Sequence, residues 1–139
     1  MQYWLFKSEP NTWSWLDQVF KGDLGEEWDG VRNYQARNFM RQMEIGDLGF
    51  FYHSMKEKSI VGIVEVIAKA HLDSTSDDPR WECVDIRAVK RVNKPVTLQQ
   101  IKSHPRLEQM VLVNNSRLSI QPVTECEWEI VCAMAATTI

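Results

Sequence analysis

The chain has 139 residues, 44% hydrophobic and 25% charged, the size and balance of one soluble globular domain whose core needs no covalent staples. A formal net charge of −3 excludes a generally basic nucleic-acid coat, so any contact with nucleic acid must come from a local patch or a specific pocket.

Residues 3–7 form a short aromatic and aliphatic run that stops at Ser8-Glu9-Pro10, which predicts a buried strand ended by a proline. Thr12 is placed to cap a helix to about residue 21, with Trp13, Leu16 and Phe20 on one apolar face. Residues 26–32 read as a loop with an Asp29-Gly30 turn. Asn33 then caps a helix to about residue 43, with Ala36, Phe39, Met40 and Met43 inward and Asn33, Arg37 and Arg41 outward. Residues 28–43 carry three arginines against one aspartate, a local excess of positive charge. Strands are predicted over 48–53 and over 60–70, where Gly62 marks a bulge or the close approach of a ligand. A third, alternating strand covers 81–92, with Val84, Ile86, Ala88 and Val92 on its buried side and Pro95 ending it. One or two short helices broken at Pro105 follow over 96–110. A last helix over about 124–135 opens with a Thr124/Glu127 capping box. These elements make one α+β domain, 1–139: a curved antiparallel sheet or barrel with helices at its ends.

Three stretches carry polar chemistry at element ends. Lys7 and Ser8 emerge where a strand meets a proline turn, either at a cleft mouth or as plain solvated residues. Residues 28–38, WDGVRNYQARN, join a tryptophan, a glycine turn and a helix N-terminus. Trp28 is placed to stack on a planar ligand, and Arg32 and Arg37 to reach phosphates or a base edge. The alternative is a core tryptophan and a solvated arginine face. His53 beside Ser54 invites a nucleophile–base reading, but no nucleophile elbow surrounds Ser8 or Ser54, so a hydrogen-bonding histidine is the simpler expectation. No cofactor or metal is expected. The three histidines are far apart, Asp77-Asp78 has no ligand periodicity, and no phosphate-cradling glycine loop occurs. Cys83, Cys126 and Cys132 are odd in number and lack a C-x-x-C pair, which argues for reduced thiols and a cytoplasmic protein. No apolar run approaches the ~20 residues of a membrane helix. No membrane partner is expected, and the chain reads as a monomer.

Taken together, YWLFKSEP at 3–10, WDGVRNYQARNFMR at 28–41, FFYHS at 50–54, Trp81 with Asp85, and RLSIQPV at 117–123 resemble the EVE domain family, in order and over nearly the whole chain. The resemblance implies a PUA-like pseudo-barrel flanked by helices, related to YTH and ASCH domains. It also implies a pocket for one flipped, modified base of DNA or RNA, such as a 5-substituted cytosine. By matching motif, the base pocket is expected from Lys7, Ser8, Trp28, Gly30, Val31, Arg32, Asn33, Tyr52, His53 and Ser54, with Arg37, Asn38, Arg117 and Ser119 as phosphate or supporting residues. Two rivals stay open: a hydrolase acting on a modified nucleotide through Ser8 or Ser54 with His53, and a module binding a small metabolite.

Overall fold

The computed structural model describes residues 1–139. Six strands form one mixed sheet in the order β2-β5-β4-β3-β1-β6. They are β1 (Tyr3–Ser8), β2 (Glu26–Glu27), β3 (Leu48–His53), β4 (Ser59–Leu72), β5 (Glu82–Thr97) and β6 (Ile120–Val123). The helices are α1 (Trp15–Phe20), α2 (Tyr34–Gln42), α3 (Leu98–Lys102), α4 (Val111–Asn114) and α5 (Glu125–Met134). The class is α+β, as expected, but the sheet is open, with β2 and β6 at its edges. Pairing is also not antiparallel throughout. β1 and β3 run parallel, Tyr3 opposite Leu48 and Ser8 opposite His53. A parallel pair requires a long crossover, and the segment carrying α1 and α2 supplies it.

Both faces of the sheet are covered, which explains why β1 and β3 read as nearly continuous apolar runs. Alternate residues divide between two cores. Trp4, Phe6 and Phe51 join Trp15, Trp28, Ala36, Met40, Val84 and Ile86 on one face. Leu5, Phe50 and Tyr52 join Ile63, Ile101, Leu112, Trp128 and Val131 on the other. The two cores are anchored by α2 and α5 respectively. Asn33 caps α2 by accepting the Ala36 N–H at 2.9 Å, and the Thr124/Glu127 capping box opens α5.

Three sequence expectations change. The cap of α1 is Ser14, not Thr12, and its inward residues are Trp15 and Gln18. Leu16 and Phe20 are 60% and 88% exposed. Tertiary packing overrides the expected periodicity here, because the Trp15 ring covers Gly62 on β4. A Cβ at Gly62 would lie 2.4 Å from that ring, so the close approach foreseen at this glycine is made by Trp15 and not by a ligand. Second, Pro95 does not end β5. It sits where β5 bulges against β4 between the pairs Gly62–Arg91 and Ile60–Val96. In that bulge Asn93 and Lys94 bond the C-terminal segment instead of the ladder, so proline's missing N–H costs no strand pairing. Third, the 26–32 loop contains β2, whose two residues pair with Asp85 and Ile86.

Candidate nucleobase-binding cleft

One cleft of about 510 Å³ opens where the ends of β1, β2 and β6 and the turn after β2 converge, a volume in the ~300–1,000 Å³ range of ligand sites. Of the residues singled out in the sequence, Lys7, Ser8, Trp28, Gly30, Val31, Arg32 and Ser119 line it. Glu9, Thr12, Trp13, Glu26, Glu27 and Asp29 complete the lining, and the sequence reading did not name them as site residues.

The walls are held from below. Trp28 donates its backbone N–H to Val84 O at 2.8 Å. Its ring meets Phe6 and Phe51 edge-on, at centroid distances of 5.3 and 5.6 Å. Only 8% exposed, Trp28 is a core residue that also closes the cleft floor, not the free loop tryptophan expected. Trp13 is the less buried indole of the wall, with its Nε1–H donated to Gln18 Oε1 at 3.0 Å. Ser8 donates its hydroxyl to Trp13 O, which ties β1 to the segment before α1. Lys7 reaches Ser116 O, its backbone N–H donates to Ser119 O, and partial burial lowers its ammonium pKa.

The turn at 29–32 depends on a residue the sequence reading passed over. Gly30 adopts φ +77°, a conformation natural to glycine, and its N–H donates to Asp73 Oδ2 at 2.9 Å. The same carboxylate receives Arg32 Nη1 at 3.1 Å and the Thr75 N–H and hydroxyl at 2.8 and 2.6 Å. Burial alone would raise the Asp73 pKa. The Thr75, Gly30 and Arg32 hydrogen bonds outweigh it and hold the carboxyl at about 2. Asp73 lies in the polar loop after β4, and nothing local in the sequence marks it as the anchor of a turn so distant in the chain.

The cleft is acidic, with Glu9, Glu26, Glu27 and Asp29 against Lys7 and Arg32. Asp29 has a raised pKa, from partial desolvation first and then from the neighbouring Asp73, Glu27 and Glu26 charges. Such a lining repels phosphate and favours a neutral or amino-bearing ligand.

Seven expected residues lie outside the lining. Tyr52 shares its strand face with Phe50 and so packs in the opposite core, where burial pushes its phenol up to about 12. His53 accepts the Trp15 N–H on Nε2 at 3.0 Å, and its Nδ1 meets Glu57 at 3.1 Å. Ser54 supports the cleft from behind, donating its N–H and hydroxyl to Ser8 O at 2.9 and 3.2 Å. Asn33 is spent on its cap, so the helix N-terminus does not open into the cleft. Arg37 and Asn38 bond one another on the outer face of α2. Arg117 is exposed, its backbone N–H donated to Asn115 Oδ1.

Glu27, His71 and Cys83 bring three potential ligand atoms within 4.8 Å of one another. Each already has a partner. The Cys83 thiol donates to Glu27 Oε1 at 3.3 Å, and the His71 nitrogens meet Leu72 O and Asp85 Oδ1 at 3.0 and 2.7 Å. The group is therefore satisfied as a hydrogen-bonded cluster.

Residues 2–134 match the family model described as EVE domain. The chain belongs to the EVE domain family. Thymocyte nuclear protein 1 of Mus musculus is 35% identical over 167 residues, covering 97% of this chain and 74% of that protein. A solved protein from Agrobacterium tumefaciens superposes with a TM-score of 0.97 at 58% identity, over 99% of this chain and 94% of its own. Human THYN1, solved in complex with 5-methylcytosine-containing DNA, superposes with a TM-score of 0.92 at 33% identity, over the whole of both chains. A YTH domain from Zygosaccharomyces rouxii, at 14% identity and TM-score 0.59, shares the fold alone.

Proposed function

We propose that this EVE domain reads a modified nucleobase, taking one base flipped from a DNA or RNA strand into the cleft, with a 5-substituted cytosine as the first candidate. The observation that carries the reading is the joining of indole walls to carboxylates in one cleft, Trp13 and Trp28 with Asp29 and Glu27. A flipped base needs a plane to pack on and partners for its edge. Trp13 is the stacking surface, and Trp28 forms the floor. Cytosine presents an exocyclic amino donor that a carboxylate accepts. Asp29 suits that role: its carboxylate lines the cleft beside Trp28 and can receive the amino group. Human THYN1, a relative of full-length similarity, was solved in complex with 5-methylcytosine-containing DNA, and this supports the reading.

The hydrolase reading lacks geometric support. Both His53 nitrogens face Trp15 and Glu57, while Ser8 and Ser54 donate to carbonyl oxygens, so neither serine is hydrogen-bonded to the histidine.

The test is a titration of paired oligonucleotides, one with a single 5-methylcytosine and one with cytosine, against wild type, Trp13→Ala and Asp29→Asn. Wild type is expected to prefer the modified strand. Trp13→Ala loses roughly 5- to 150-fold in affinity, the contribution of one base stack. Equal affinity of wild type for both strands overturns the reading.

A further inference from the structure

Carboxylates outnumber cations in the cleft, which disfavours phosphate inside it, so a strand that delivers a base there is better served by a backbone seat beyond the cleft mouth. A continuous stack leads away from the cleft. Arg32, which lines the cleft, places its guanidinium over the Trp81 ring at 5.5 Å. Trp81 stacks on Tyr34 at 5.1 Å with an interplanar angle of 28°. Arg37 covers Tyr34 at 4.9 Å. In the sequence Trp81 stands out only as a motif residue. In the fold it ties the loop before β5 to the first turn of α2. Tyr34 is 50% exposed, and its hydroxyl accepts from Arg80 Nη1 at 3.1 Å.

The charges on this face are unequal. Arg32 pairs with Asp73, Arg41 with Glu82 and Arg80 with Asp78. Arg37 has only neutral partners: Asn38 Oδ1 takes its Nε–H and an Nη2–H at 3.2 and 2.8 Å, and Arg80 O takes an Nη1–H at 3.0 Å. A guanidinium has five N–H donors, so two remain after these three bonds. Stacking on Tyr34 and the Asn38 contact fix the group before any ligand arrives, and a fixed guanidinium loses little freedom when it binds an oxyanion.

We propose that the Arg32–Trp81–Tyr34–Arg37 stack is the seat of the sugar–phosphate backbone flanking the flipped base, with Arg37 holding a phosphodiester through its two remaining donors. The proposal rests on the cleft being the base site. Tyr34 and Trp81 act as positioning residues, since an arginine already lies over the outer ring of the stack at each end. The strand runs from the cleft mouth at Arg32 along the first turn of α2, and its charge is matched where the cleft's charge is not.

The experiment measures Kd for a 5-methylcytosine oligonucleotide across a salt series, and Kd for free 5-methylcytidine, with wild type, Arg37→Ala and Tyr34→Ala. Arg37→Ala is expected to weaken the oligonucleotide roughly tenfold, the loss of one charge-assisted contact. Its log–log salt slope should be shallower by about 0.7, one single-strand phosphate. Affinity for the free nucleoside and the preference for the modified strand should both stay at the wild-type level. Tyr34→Ala, which leaves the charge but removes its support, should weaken the oligonucleotide in the same direction with less change of slope. Wild-type affinity and slope in Arg37→Ala overturn the proposal, as does an equal loss for nucleoside and oligonucleotide. Wild type that binds the nucleoside but no oligonucleotide overturns the stack's role and the reading of a base within a strand, and leaves the cleft as a nucleoside site only. Wild type that binds neither overturns both.

Discussion

The Asp73 carboxylate accepts the backbone N–H of Gly30 at 2.9 Å, joining the loop after β4 to the turn that forms one lip of the cleft. Because Asp73 is only 1% exposed and also holds Arg32 and Thr75, it sets the shape of the 28–32 segment more than any residue within that segment does.

Asp73→Asn should therefore act on both stability and binding. The amide keeps the volume but removes the charge and one acceptor oxygen, at a cost of roughly 1–3 kcal/mol for charge-assisted bonds left unmade. Thermal denaturation should show a lowered Tm, and 5-methylcytidine should bind more weakly because Gly30 and Arg32 are no longer fixed. An unchanged Tm contradicts the anchoring role.

The same group predicts an acid limb of stability. Its folded pKa of about 2 lies below the ordinary value of 3.8. A depressed carboxyl stabilises the fold above its unfolded pKa and loses that contribution as pH falls through the folded pKa. The window is thus about pH 4 to pH 2, and the stake is on the order of 2 kcal/mol. Denaturant unfolding across that range should decline more steeply for wild type than for Asp73→Asn.

Gly62→Ala should destabilise by about 1–3 kcal/mol, because its Cβ would overlap the Trp15 ring at 2.4 Å. Since the clash is with a side chain, Trp15→Leu should relieve it. In a double-mutant cycle the pair should cost less than the sum of the single changes, and simple additivity would show that the two residues do not meet.

Trp28 and Trp13 should separate packing from binding. Trp28 lies against Phe6 and Phe51, so Trp28→Ala should cost about 3–5 kcal/mol of stability, and any loss of binding will follow from that. Trp13→Ala should instead lower affinity for the modified strand with a much smaller change in Tm. The reverse order of Tm effects would move the stacking role to Trp28.

Local signals gave most of the framework. The Asn33 cap, the Thr124/Glu127 box and the apolar runs of β1 and β3 were legible because each is settled by neighbours in the chain. The motifs at 7–8, 28–32 and 119 also led to one cleft. What was hidden depends on distant contacts. Leu16 and Phe20 have helical spacing, yet Trp15 turns inward because Gly62 leaves room for its ring. Tyr52 and His53 follow a motif, yet alternation along β3 sends Tyr52 to the far core, and Trp15 claims His53. Glu26, Glu27 and Asp29 resemble ordinary surface acids until the pairing of β2 with β5 brings them to the cleft.

The structure of this EVE domain bound to a single-stranded DNA oligonucleotide with one 5-methylcytosine tests the central claim most directly. The modified base is expected out of the strand and inside the cleft, against Trp13 and above Trp28, with its amino edge toward Asp29. A 5-methylcytosine that remains stacked in its strand, or one seated anywhere other than this cleft, would contradict it.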